Sequence, residues 1–261
     1  MEKLGWIDSH AHLVDETLYD DLDDVIQQVY NLNVSRILSI SMSKEEALLN
    51  IDLQQKYDII DVAFGFHPQD AHIITGQEFD DFVEMVKKPN IVAIGEIGLD
   101  YYWRQDTKEE QKELFIKQIE LANMVKKPIL IHNRDASEDV LSILKKHPPQ
   151  YGGVMHCYSS SVEMAFEFIK LNMLISFAGP LTFKNGRIPK EVAKAVPIEH
   201  LLIETDSPYL TPTPFRGKRN QPAYVSYIGK ELSKIKEIPQ QEMIRLLSLN
   251  YQRLLGQKLD K

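Results

Sequence analysis

The sequence predicts a single-domain α/β protein, a (β/α)8 TIM-type barrel. Three observations predict it: short β-rich runs recur eight times, helix-like segments separate them, and no Gly-rich phosphate loop follows the first run. The 261 residues give a mean repeat of roughly 30, matching a fold that typically takes ~250. An open doubly wound sheet is the main rival, and it would usually carry that Gly-rich loop. No internal repeat, low-complexity tract or Gly/Ser linker divides the chain, so residues 1–261 read as one domain.

In chain order, the expected strands are Trp6–Asp8, Arg36–Ile40, Ile60–Phe66, Ile91–Glu96, Ile129–His132, Gly153–His156, Met173–Phe177 and Leu201–Thr205. Helices are expected between them, among others at Leu18–Leu32, Lys108–Lys126, Ser137–Lys146, Ser161–Leu171 and Pro189–Val196. Two more, near Ala223–Lys236 and Gln240–Leu255, close the chain. Thr107, with Glu110 three residues later, reads as a capping box that starts the longest helix. Lys126, Lys127 and Pro128 then supply late-helix cations and a proline stop. The acidic stretch Asp15 to Asp24 reads as a solvated helix start.

Composition sets the broad class. Hydrophobic residues make up 43% and charged residues 26%, ordinary for a soluble globular protein with a sizeable core. No apolar stretch reaches the roughly 18 residues that a membrane helix needs. Met1 to Asp8 is too short and too polar for the apolar segment of a signal peptide. The lone cysteine, Cys157, excludes an intramolecular disulfide and fits a reducing compartment, so a cytoplasmic location is expected. Because Cys157 follows His156, alternation turns it toward the helix layer as a small core residue. The formal net charge of −8 argues against a passive nucleic-acid coat protein. It leaves room for an enzyme on phosphate esters, because bound cations and a few arginines reverse the potential at one site.

The position of the polar residues carries the chemistry. Strand one runs into Asp8-Ser9-His10-Ala11-His12, and strand three ends at His67-Pro68. Strand four ends at Gly95-Glu96-Ile97-Gly98, strand five at His132, strand six at His156, and strand eight at Glu204-Thr205-Asp206. In a parallel barrel all strand C-termini share one face, so these residues should converge there. His10 and His12 are two apart, which on extended backbone points both rings the same way. Alternation puts Val92, Ile94 and Glu96 on one face, with Glu96 atop the barrel interior. An unpaired carboxylate there is costly, and a cation removes the cost. Four histidines with two carboxylates suit Zn²⁺, Mn²⁺, Ni²⁺ or Fe²⁺ better than an all-oxygen Ca²⁺ or Mg²⁺ site.

The segments Asp8–His12, Gly95–Asp100, Ile131–Arg134, His156–Ser159 and Glu204–Leu210 resemble the TatD-type deoxyribonucleases of the metal-dependent amidohydrolase superfamily. They occur in the family's order, span nearly the whole chain and are specific as a set. The resemblance implies two divalent cations, with Mg²⁺, Mn²⁺, Zn²⁺ and Ni²⁺ as candidates. It implies His10, His12 and Asp206 on one, His132 and His156 on the other, and Glu96 bridging. It also implies hydrolysis of DNA phosphodiesters. The family's Arg-Gly-Lys loop matches Arg216-Gly217-Lys218-Arg219-Asn220. Gln221, where an acidic residue is expected, and Gln69, where a histidine is common, depart from the pattern without touching an implied ligand.

The residue chemistry agrees with that implication. Two cations about 3.5–4 Å apart stabilise the attacking and leaving oxygens of an in-line displacement, and they acidify the attacking water. Asp206 is the candidate acceptor of that proton. Arg134, Arg216, Lys218 and Arg219 are candidates for phosphates flanking the scissile bond; the alternative for Arg216 to Arg219 is a solvated loop. His67 reads as orienting substrate or water, or else as packing beside Pro68. Tyr101, Tyr102 and Trp103 follow strand four, placed either to stack on bases or to pack a loop. His72, His147 and His200 receive no role. The rival functions are a small-molecule amidohydrolase or lactonase and a non-catalytic metal protein. The first lacks a strand-end lysine to form a carbamylated bridge, and the second would favour a closed, cysteine-rich site. DNA is the expected partner, with no membrane and no obligate protein partner, and a monomer is expected.

Overall fold

The computed structural model describes residues 4–256, so the first three residues of the Met1–Asp8 reading lie outside the described residues. Eight strands form a single sheet in sequence order: β1 (Trp6–Ala11), β2 (Val34–Ser41), β3 (Ile60–Phe64), β4 (Ile91–Asp100), β5 (Ile129–Arg134), β6 (Gly153–Met155), β7 (Met173–Phe177) and β8 (Leu201–Ile203). Every neighbouring pair is parallel, with helices between, which is the (β/α)8 barrel. Side chains and loop backbone bring β8 back to β1. Ser9 Oγ donates to the Ile203 carbonyl at 3.1 Å, and the Asp206 and His12 amides donate to the His10 and Ser207 carbonyls at 2.9 Å each.

The barrel is filled, because its inward positions are apolar. Ile7, Leu38, Ala63, Leu130, Val154, Leu174 and Leu202 form one interior cluster, closed at the strands' N-terminal end by Tyr251 and Leu254 of the helix Gln240–Leu254. A second cluster lies between the sheet and the helices and takes the opposite faces of the same strands.

Local chemistry differs from expectation at four places. Leu18–Leu32 is broken into Glu16–Tyr19, capped by Asp15, and Leu22–Asn31. Thr107 does stand at the start of Lys108–Val125, but its side chain makes no cap. Instead its hydroxyl accepts from Gln111 Nε2 at 3.2 Å. The complete capping box is Thr75 with Glu78, heading Gly76–Val86. Lys126 is no late-helix cation: at φ 60° it is the left-handed cap itself. Lys127 serves a different helix, its Nζ donating to the Val86 and Lys88 carbonyls at 2.5 and 2.8 Å.

The strand-four alternation also fails. Ala93 lies in the interior cluster and Ile94 in the helix-facing one, so Ile94 and an extended Glu96 would both face away from the interior. The β4–β5 register shifts between Ile94 and Ile97, and that irregularity returns Glu96 to the mouth. Two residues on, Gly98 at φ 142° lies so close to the His132 carbonyl that a Cβ would collide with it.

Candidate metal centre

Each candidate ligand leaves a strand at the same end of the barrel. His10 lies on β1 and His12 just beyond it; Glu96 and His132 lie on β4 and β5; His67, His156 and Asp206 follow β3, β6 and β8. The fold brings all seven together around Glu96, which is 4% exposed. Its Oε1 stands 2.6 Å from His132 Nδ1, 3.0 Å from His156 Nε2 and 3.8 Å from His67 Nε2. Its Oε2 stands 3.3 Å from His10 Nε2 and 3.9 Å from His12 Nε2. Asp206 Oδ1 lies 3.6 Å from His12 Nε2 and 3.8 Å from His10 Nε2.

These atoms form three compact donor groups: His10, Glu96 and His156; His10, His12 and Asp206; and His67, Glu96 and His132. The donor set fits divalent cations. His10 Nε2 and His12 Nε2 face each other at 3.3 Å, and both also face a carboxylate. A neutral imidazole nitrogen has either one proton or one lone pair, so protons alone serve this crowd poorly, whereas a cation accepts from all of it.

Electrostatics sharpen the point. Burial alone raises the Glu96 pKa, but the charges of His156 and His10 and their hydrogen bonds, with that of His132, hold it well below the usual range. Asp206 behaves alike: burial raises it, and His12, His156 and His10 bring it below its ordinary value. Burial lowers the histidines, yet Glu96 and Glu204 lift His156 well above normal, Asp206 and Glu96 lift His12, and Asp100 and Glu96 lift His132. His10 and His67 are instead lowered, both chiefly through burial, His67 to about 4. Carboxylates that stay ionised beside histidines that attract protons are a site waiting for positive charge.

His67 differs from the other histidines. Its Nδ1 accepts the Gln69 amide at 3.3 Å, so the proton of the neutral ring sits on Nε2 and faces the site as a donor. That tautomer suits orienting a substrate or water oxygen.

Three buried carboxylates behind the ligands were not singled out from the sequence. Glu204 accepts from His156 Nδ1 at 2.9 Å and from the Cys157 amide at 2.6 Å, and half-buried Cys157 follows from that anchoring. Asp100 accepts from His132 Nε2 at 3.2 Å and from Gln69 Nε2 at 2.9 Å. Asp8 accepts from the Thr205 amide at 2.8 Å and the His10 amide at 3.3 Å, tying the first motif to the last. Asn220 supports the Asp206 loop, its Nδ2 donating to the Thr205 and Tyr209 carbonyls at 2.9 and 2.5 Å. Their signal was present: each carboxylate lies inside a quoted motif, and only depth separates it from a ligand.

The basic residues divide. Arg134 follows His132 on β5 and lies over the Tyr102 ring at 4.2 Å. Lys218 is exposed in its loop. Arg216 lies over the Phe183 ring at 4.0 Å. Arg219 pairs with Asp21 at the surface, its two terminal guanidinium nitrogens donating to the carboxylate at 2.9 and 2.7 Å.

Known proteins resemble the chain throughout. The family described as TatD related DNase matches residues 7–256. The uncharacterized metal-dependent hydrolase YabD of Bacillus subtilis is 44% identical over 248 residues, covering 95% of this chain and 97% of that one. The uncharacterized metal-dependent hydrolase YcfH of Escherichia coli K12 is 36% identical over 252 residues, covering 95% and 94%. The crystal structure of YJJV, a TatD homolog from Escherichia coli K12, superposes with a TM-score of 0.93 at 25% identity, covering 99% of this chain and 100% of that one.

Proposed function

The chain belongs to the TatD-related DNase family of metal-dependent hydrolases, and from that premise we propose that it hydrolyses phosphodiester bonds of DNA, holding two divalent cations. The observation that carries the proposal is the convergence of ring nitrogens from four strand ends and two carboxylates at the C-terminal mouth of the barrel. His10, His12 and Asp206 would hold one cation, His132 and His156 the other, with Glu96 between them. When bound, such cations polarise a phosphoryl oxygen and make an attacking water easier to deprotonate.

The chain's own groups supply the rest. Asp206 has 15% of its side chain exposed against 5% for Glu96, which supports it as the acceptor of the water's proton. His67 Nε2–H donates toward the reacting oxygens. Arg134, Arg216 and Lys218 are candidates to meet the phosphates beside the scissile bond. Arg219, a further candidate, pairs with Asp21 at the surface. Glu204 and Asp100 fix the rings of His156 and His132, so the donors are preorganised.

The test is hydrolysis of end-labelled single-stranded DNA by metal-stripped protein resupplied with Mg²⁺, Mn²⁺ or Zn²⁺, with Asp206→Ala as the control. Cation-dependent cleavage that vanishes in the variant is the expected result. Protein that binds cations yet cleaves no DNA would move the reading to a small-molecule ester or lactone.

A further inference from the structure

Of the three aromatics after β4, one is buried and two are displayed. Tyr101 is buried, and its hydroxyl donates to Asp139 at 2.7 Å. Tyr102 and Trp103 are 54% and 60% exposed, with ring centroids 4.8 Å apart and planes at 89°. Leaving two large rings in water forgoes free energy that burial would gain, and such display marks a binding surface. The rings are not loosely hung. The Tyr102 and Trp103 amides both donate to Asp100 Oδ1, at 3.0 and 2.9 Å. Asp100 Oδ2 accepts from His132 Nε2 at 3.2 Å. One buried carboxylate therefore sets a candidate ligand ring and the aromatic pair together. Arg134 completes the arrangement, its guanidinium 4.2 Å from the Tyr102 centroid and 5.5 Å from that of Trp103.

We propose that Tyr102, Trp103 and Arg134 form a stacking subsite for an unpaired nucleobase of single-stranded DNA, next to the scissile phosphodiester; this rests on the DNA reading above. An aromatic face accepts any base, because every base has a π face. An arginine stacked on the ring extends that surface and presents N–H groups to the adjoining phosphate. In a duplex both faces of a base are covered by its neighbours, so the subsite selects single strands and frayed ends. The net charge of −8 gives little general attraction to a polyanion. Local stacking compensates for that weakness.

The two tryptophans make the subsite readable. Trp6 is buried at 3% exposure, whereas Trp103 is open. In the full-length, metal-loaded protein, a short single-stranded phosphorothioate oligothymidylate, which resists cleavage, should quench Trp103 emission saturably. The same sequence in a duplex should quench far less. Trp103→Phe should remove the signal, which assigns the quenching to this ring and not to Trp6. Trp103→Ala should raise KM about tenfold or more, with kcat changed less. DNA cleavage by the wild type without quenching, or an unchanged KM in Trp103→Ala, overturns the subsite and leaves the nuclease reading intact. Quenching without cleavage under any cation supports the subsite and overturns only the nuclease reading. Absence of both overturns both.

Discussion

At the N-terminal end of the barrel, Tyr251 donates its hydroxyl to Asp61 at 2.9 Å, and Lys127 reaches the Val86 and Lys88 carbonyls. At the other end, Glu96 draws ring nitrogens from five histidines within 4 Å, and His10 stacks on His156 at 3.9 Å. Both ends bury polar groups, but only at the base does the chain's own complement suffice. Among the described residues, His10 Nδ1 and Glu204 Oε2 are buried polar atoms at the mouth that lack a hydrogen-bond partner. A region that satisfies itself is read as structural, and one that crowds like donors without completing them is read as a binding site.

Glu96→Ala is the strongest attempt to break that contrast. Turnover should fall on the order of 10³-fold or more while the fold persists, with lower metal content by elemental analysis. Near-normal turnover would remove Glu96 from the centre. Glu204→Ala probes one layer further out. Cation affinity should weaken about tenfold to a hundredfold, read by chelator competition, because His156 loses the carboxylate that orients it. Unchanged affinity would make Glu204 a packing group. Tyr251→Phe tests the base: urea denaturation should show a loss of about 1–2 kcal/mol with kcat unchanged. A loss of activity at constant stability would abolish the division between the two ends.

The mouth was legible in the sequence because chain direction alone gathers the ends of parallel strands, so His10, Glu96, His132, His156 and Asp206 converge whatever the details of each strand. Details that depend on register or distant partners were not. Glu96 reaches the mouth through a register shift that period-two alternation cannot anticipate. The Arg219–Asp21 ion pair joins residues nearly 200 positions apart, which no local pattern reveals. Tyr101, Tyr102 and Trp103 read alike as sequence, and only the Asp139 contact and the Asp100 anchor separate a packing residue from two displayed ones. The capping box was assigned to Thr107 because the pattern fits there, but Gln111 engages that hydroxyl and the box forms at Thr75.

A graded effect gives the contrast its sign in pH. His12, His132 and His156 have pKa values raised above 6.5 in the folded, metal-free protein. The stability they contribute is fully present below about pH 6.5 and is lost as pH rises through their folded values. Cations require the same rings deprotonated, so loaded protein holds its stability across that window while stripped protein declines. The gap in Tm between loaded and stripped protein should therefore widen from about pH 6.5 upward. Each proton displaced should add about 1.4 kcal/mol per pH unit, or roughly 2–4 °C for a domain of this size. Tyr251→Phe, which acts at the base, should lower both curves without changing the gap. A gap that stays constant with pH would mean that the histidines do not exchange protons for cations, and the mouth would then be as self-satisfied as the base.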